Sequence, residues 1–133
     1  MKVVKKRTVF EDERGQIIDI LENEIIEHVT MISSKEGSIR GNHYHKESVQ
    51  YTYVVKGRLK LLTQMPGEQV KTTTIEPRDL VFTPPMEKHA LMALEDSEFL
   101  VLTRGPRGGG NYEKDTYRLT EKLISDERLP NDI

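Results

Sequence analysis

Gly37-Ser-Ile-Arg-Gly-Asn-His43-Tyr-His45-Lys-Glu-Ser-Val-Gln50 is the stretch on which the reading of this chain turns. Its two histidines are two residues apart. On an extended backbone, side chains at i and i+2 leave the same face, so the two imidazoles project side by side. From Gln50 the run Gln50-Tyr51-Thr52-Tyr53-Val54-Val55 alternates as far as Gly57. That alternation puts Gln50, Thr52 and Val54 on one face and Tyr51, Tyr53 and Val55 on the other. A third histidine, His89, follows Pro84-Pro85 and opens another strand-like run. Neutral imidazole is the commonest ligand of first-row metal ions, and it is also the side chain that titrates nearest neutrality. The three histidines therefore read as a candidate metal site; the plain alternative is a pair of half-exposed strand histidines that bind nothing.

Outward from this stretch the chain reads as many short strands. Residues 3–10 mix Val, Thr and Phe with Lys and Arg; residues 16–21, 27–33 and 49–55 are β-branched or alternating. Residues 58–63 follow Lys56-Gly57, and the two flanking patterns predict a hairpin there. Met65-Pro66-Gly67-Glu68 places Pro and Gly where a type II turn wants them. Residues 69–75, 80–83, 88–94 and 99–104 complete the set, with Glu76-Pro77-Arg78-Asp79 as another turn. Turn signals recur about every ten residues, which predicts an all-β sandwich or barrel. Only the end differs. The glycine-rich residues 105–110 form a loop that lacks the Lys-Ser/Thr pair of a phosphate cradle. Residues 120–125 are expected to make a short helix with Leu119, Leu123 and Ile124 packed inward.

Composition bounds the function. With 133 residues the chain has room for one domain, 1–133, with a real core. Twenty Lys and Arg against 22 Asp and Glu give a formal charge of −2, so no basic excess points to nucleic acid. Residues 2–7 are mildly basic but alternate with Val, as a solvated edge strand does. The absence of cysteine excludes disulfides, zinc ribbons and thiol nucleophiles and fits a reducing compartment. No apolar run nears the ~20 residues that span a bilayer. A cytoplasmic protein without membrane or nucleic-acid partners is expected.

The quoted stretch resembles the first motif of the cupin superfamily: Gly, five residues, His-x-His, three or four residues, Glu, six residues, Gly. Here Gly37, His43, His45, Gln50 and Gly57 fall at those spacings, with Gln50 in the Glu place. The second cupin motif is Gly, five residues, Pro-x-Gly, two residues, His, three residues, Asn. Pro84 and His89 match it; Arg78, Met86 and Ala93 depart from it. The two motifs cover about residues 37–57 and 78–93. The resemblance implies a single-domain cupin, a double-stranded β-helix or jelly-roll barrel of the RmlC-like type, here with the short C-terminal helix. It implies His43, His45, Gln50 and His89 as metal ligands. A Gln oxygen is a neutral ligand, so such a centre would keep the full charge of a divalent ion and favour an anionic substrate. Zn, Ni, Fe and Mn all fit the set.

The run Arg40-Gly41-Asn42-His43-Tyr44-His45-Lys46, with Gln50, is similar to the 3,4-ketoisomerases of deoxysugar pathways. These are regarded as working without metal, with the histidine pair as acid and base. The tail Tyr112-Glu-Lys-Asp115-Thr-Tyr117-Arg118 also looks like that of sugar-modifying cupins, including the capsule-synthesis domain that carries a metal. The chemistry suits the residues. Moving a carbonyl along a sugar means removing one proton and returning another next door, and imidazole with pKa near ~6.5 does both. The expected function is therefore a sugar isomerase or epimerase of a nucleotide-linked or phosphorylated keto sugar, in polysaccharide or deoxysugar biosynthesis. Catalysis falls to His43 and His45, and substrate binding to Arg40, whose planar fork suits a pyrophosphate, and to Thr52. The alternatives are a metal-dependent cupin oxygenase and a non-enzymatic metal- or sugar-binding module. Tyr44 should face away from the histidines, His28 has no motif, and Asp79 reads as a turn residue. A homodimer is expected, because the outer faces bearing Tyr51, Tyr53 and Val55, and Ala90, Met92 and Leu94, need a cover. The competing cover is the chain's own N-terminal or C-terminal segment.

Overall fold

The computed structural model describes residues 2–106 and 114–125. Twelve strands appear in chain order: β1 (Lys2–Lys5), β2 (Thr8–Asp12), β3 (Gly15–Ile18), β4 (His28–Ser34), β5 (Ile39–Tyr44), β6 (Val49–Lys56), β7 (Leu59–Gln64), β8 (Lys71–Ile75), β9 (Asp79–Thr83), β10 (Lys88–Ala93), β11 (Ser97–Arg104) and β12 (Tyr117–Arg118). One five-stranded antiparallel sheet runs β1-β9-β6-β11-β4. The other runs β12-β5-β10-β7-β8, and β2 and β3 form a separate hairpin. This is the expected all-β jelly-roll.

Two expectations are corrected. Residues 120–125 form no helix. Their backbone groups are engaged elsewhere: Leu123 and Ile124 donate their N–H groups to Asn42 Oδ1, and Ile124 O accepts from Asn42 Nδ2. A six-residue helix would gain few internal bonds to compete with these. The Lys56-Gly57 turn makes no hairpin either, since β6 and β7 lie in different sheets. Gly57 has φ +88° and sits so close to Asp96 that an added Cβ would lie 2.5 Å from its carbonyl oxygen. The turn is a corner between sheets. The Met65–Glu68 turn has the expected form, with Glu68 N–H donating to Met65 O and Gly67 at φ +76°.

Alternation along β6 falls as the sequence implies. Val54 joins Leu59, Leu61, Ile75, Val81, Ala93, Phe99 and Val101 in the core between the sheets. Each large side chain buried there is worth about 1.5–3 kcal/mol. On the outer face Val49, Tyr51, Tyr53 and Leu80 are buried beneath Ile20, Leu21 and Ile26. The chain's own segment thus covers the two tyrosines. Register places two polar rows on the inner faces. Across the first sheet Thr83 pairs with Gln50, Gln50 with Thr103 and Thr103 with His28. Across the second, Arg118 pairs with His43, His43 with His89 and His89 with Thr63.

Candidate functional site

The histidine strand β5 carries a bulge. His43 pairs with His89, but Gly41 pairs with Ala90, leaving Asn42 as the extra residue. Gly41 and Asn42 both have positive φ, +91° and +56°. An extra residue shifts the side-chain parity by one. Arg40 and His43, three apart, therefore both line the inner cavity. A Cβ at Gly41 would lie 2.8 Å from the His89 carbonyl, so the close approach of β5 to β10 requires glycine.

His43, His45 and His89 converge. Ring centroids lie 4.8 Å apart for His43 and His45, 4.6 Å for His43 and His89, and 5.4 Å for His45 and His89. All three are buried. His45 Nδ1–H donates to the Asp115 carbonyl at 2.8 Å, and His89 Nδ1–H to the Glu87 carbonyl at 3.1 Å. A carbonyl can only accept, so both rings are fixed with the lone pair on Nε2. Burial, then the neighbouring His45, pushes the His89 pKa down to about 4, against a smaller opposing pull from its bond to the Glu87 carbonyl. His89 is therefore neutral at pH 7.

A cavity of about 390 Å³ opens beside them. Its upper walls are His43, His89 and Arg118 on one sheet and Gln50, Thr52 and Thr83 on the other, over a floor that includes Leu61, Ile75 and Phe99. Gln50, Thr52 and Arg40 are thus all at the cavity, whereas His45 does not line it but packs against His43, which does. Arg40 spends Nε and Nη2 on Ser34 Oγ and Ser33 O, each at 2.8 Å, which ties β5 to the edge strand β4. Tyr44 does face away; it stacks on Tyr117 at 5.3 Å. Asp79 closes its turn, accepting the Glu76 N–H, and pairs with Lys5.

The three histidine donor atoms lie within 4.8 Å of one another. Tetrahedral ligation at ~2.0–2.1 Å sets nitrogens about 3.4 Å apart. The donor types and the Nε2 lone pairs of His45 and His89 fit a first-row ion after a small inward closure, with Gln50 across the cavity as a neutral fourth group.

Sequence reasoning missed Asp115. Its buried carboxylate accepts from the N–H groups of Lys46, Glu47 and Ser48 and from Ser48 Oγ. Burial alone would raise its pKa, but these bonds outweigh burial and hold it below the usual value. Asp115 thus fixes both the loop after His45 and the His45 ring, across a sequence separation that no local pattern reveals. Thr83 was not singled out either, although its alternation with Val81 just ahead of Pro84-Pro85 is a signal that could have found it. The buried Glu87 had no local sign, and Arg118, which is exposed, entered only as part of the tail that resembles sugar-modifying cupins. Residues 107–113, including the tail residue Tyr112 and most of the glycine-rich loop, lie outside the described residues.

Residues 10–117 match the family model described as the polysaccharide biosynthesis C-terminal domain. No curated protein matches the chain. Among solved structures, the chain is similar to dTDP-4-dehydrorhamnose 3,5-epimerase from Sulfolobus tokodaii, at 19% identity and TM-score 0.76, covering 94% of this chain and 80% of that one. It is similar to QdtA, a sugar 3,4-ketoisomerase from Thermoanaerobacterium thermosaccharolyticum in complex with TDP, at 21% identity and TM-score 0.73, covering 90% and 88%. A 3,4-ketoisomerase from Helicobacter canadensis gives 22% identity and TM-score 0.75, covering 88% and 89%. The barrel is therefore the RmlC-like cupin fold, and with most of its length matched the chain belongs to the polysaccharide biosynthesis C-terminal domain family.

Proposed function

We propose that this protein is an isomerase or epimerase of a nucleotide-linked keto sugar, serving polysaccharide or deoxysugar biosynthesis. The observation that carries the reading is the cluster of three buried imidazoles against a cavity walled by Gln50, Thr52 and Thr83. Support comes from similar folds in enzymes named as dTDP-sugar 3,5-epimerases and sugar 3,4-ketoisomerases.

His43, at the cavity wall, takes the proton from the carbon beside the keto group. The electron pair moves into a carbon–carbon double bond and onto the keto oxygen, giving an enediolate. A proton returned to the former carbonyl carbon, with loss of the neighbouring hydroxyl proton, shifts the carbonyl by one position. A proton returned to the original carbon from the other face inverts it instead. The step is redox-neutral within the sugar. His45 is the second acid–base group, held as the Nδ1–H tautomer by Asp115. Neutral His89 accepts a hydrogen bond from the sugar or its enediol. Thr52 and Arg40 bind the substrate. The test is incubation with TDP-4-keto-6-deoxyglucose in D2O. Deuterium should enter the carbon next to the carbonyl, and His43→Asn should abolish it; no exchange by the wild type would sink the reading.

A second reading keeps the same site but loads it. His43, His45 and His89, with Gln50, would hold Zn, Ni, Fe or Mn. The ion would polarise the carbonyl oxygen. Metal content decides: His45→Ala should lose bound metal and Gln50→Glu should bind it more tightly. A low content unchanged across all three proteins would leave the histidines working alone.

We further infer that the protein acts as a homodimer in the cytoplasm, a setting its cysteine-free sequence suits. The support for a partner is exposed apolar surface away from the tyrosines. Val29 and Met31 on edge strand β4 are 64% and 55% exposed, and Phe10 on the β2–β3 hairpin is 50% exposed.

A further inference from the structure

Asn42 has a place in the molecule that its neighbours in the histidine stretch do not explain. It is the extra residue of the bulge, it is buried, and it sits at φ +56°, a region that Asn tolerates better than most residues. Its side chain faces away from the histidines. There it holds the far end of the chain: Oδ1 accepts from Leu123 N–H at 2.9 Å and Ile124 N–H at 3.1 Å, and Nδ2 donates to Ile124 O at 2.9 Å. Its backbone carbonyl accepts from Leu119 N–H at 2.9 Å.

The segment it grips, residues 115–124, runs beside the site as a strap. At one end Asp115 is bound by Lys46, Glu47 and Ser48 and orients His45. In the middle Tyr117 and Arg118 pair with Tyr44 and His43. Arg118 lines the cavity in the same row as His43 and His89. The strap is anchored on Asp115 before Arg118 and on Asn42 after it. Outside the two residues of β12 it has no regular backbone ladder. The far anchor includes the Asn42 carboxamide, which binds Leu123 and Ile124, beside the Asn42 carbonyl, which binds Leu119.

We propose that Asn42 is a positioning residue: it clamps the C-terminal strap to β5 and so holds Arg118 in the cavity wall, facing the anionic part of the ligand. The anionic ligand rests on the nucleotide-sugar reading above; the clamp itself does not. Asn42 touches no reacting atom and acts through Arg118.

The test uses Asn42→Gly, because glycine keeps the positive φ and removes only the carboxamide. Asn42→Asp is the conservative variant, retaining the acceptor for Leu123 and Ile124. In Asn42→Gly, amide exchange at Leu123 and Ile124 should quicken at least about tenfold, with Tyr53 and Val54 unchanged, and the Arg118 Nε–H should lose order in its 15N relaxation. Asn42→Asp should lie between the two. An Arg118 Nε–H as ordered in Asn42→Gly as in the wild type would overturn the proposal, whether or not the protein binds nucleotide. Calorimetry with TDP supplies the functional arm. Asn42→Gly and Arg118→Met should each weaken TDP about tenfold, and the double variant should be no weaker than Arg118→Met by more than about twofold. Additive losses near a hundredfold would mean that Asn42 does not act through Arg118. Wild type that fails to bind TDP refutes the nucleotide reading and leaves the clamp to be judged by the relaxation and exchange measurements.

Discussion

His89 is the residue whose chemistry is most altered by its place. Burial and the adjacent His45 hold it neutral in the fold, with a pKa of about 4 against an ordinary 6.5. The unfolded chain therefore binds a proton between these values that the folded chain refuses. Stability contributed by neutral His89 is complete above pH 6.5 and is lost as the pH falls toward 4. At about 1.4 kcal/mol per pH unit the loss comes to about 3 kcal/mol in the metal-free protein. Urea melts at pH 7 and pH 4.5 should show it, and His89→Gln should flatten the slope between them. Thr103 makes a contrasting case. Its hydroxyl is wholly buried and has no hydrogen-bond partner among the described residues. Replacing it by the isosteric Thr103→Val removes a desolvated donor at no packing cost, so the variant should be more stable by about 1 kcal/mol, read as a higher Tm. The histidines were legible at this scale because a two-residue spacing on a strand is local information. Asp115 and Asn42 were not, since what they do is bind segments remote in the chain.

Among the elements, the second motif shows how a pattern survives the loss of its residues. Arg78 and Met86 occupy the positions where the cupin resemblance implies glycine. Both have positive φ, +77° and +74°. The backbone has kept the turn that glycine would make easily, and the side chains bear the strain. Met86→Gly should relieve it and stabilise the protein by up to about 1 kcal/mol in chemical denaturation; a loss of stability would mean that the Met86 side chain contributes more than its backbone costs. The strands were read nearly in full from alternation and turn residues, and Gln50, Thr52 and Val54 face inward as that alternation required. The Lys56-Gly57 hairpin failed because two good strands around a turn do not specify which sheet each joins. The C-terminal helix failed because periodicity in six residues carried less weight than three bonds from Asn42.

For the whole molecule, the outer face of the first sheet decides the assembly. The rows Phe82–Tyr51–Leu102–Val29 and Leu80–Tyr53–Leu100–Met31 cross four paired strands. Residues Ile20, Leu21 and Ile26 cover the middle of these rows, and the β4 end lies open. Sedimentation at micromolar concentration should give twice the 15.4 kDa of one chain, and Met31→Lys should return the single-chain mass with the barrel intact. A monomer at every concentration would mean that the exposed face is merely tolerated. The two polar rows inside the barrel carry a different consequence. Arg118, His43, His89 and Thr63 come from four strands, and Thr83, Gln50, Thr103 and His28 from four others. Each strand contributes one side chain to these rows, and none depends on a neighbour in sequence for its position. Five of the eight, Arg118, His43, His89, Thr83 and Gln50, line the cavity, so its lining can change by single substitutions, each leaving the other four and the ladder between the strands in place. An enzyme lineage on this barrel can change what it accepts without passing through an unfolded ancestor.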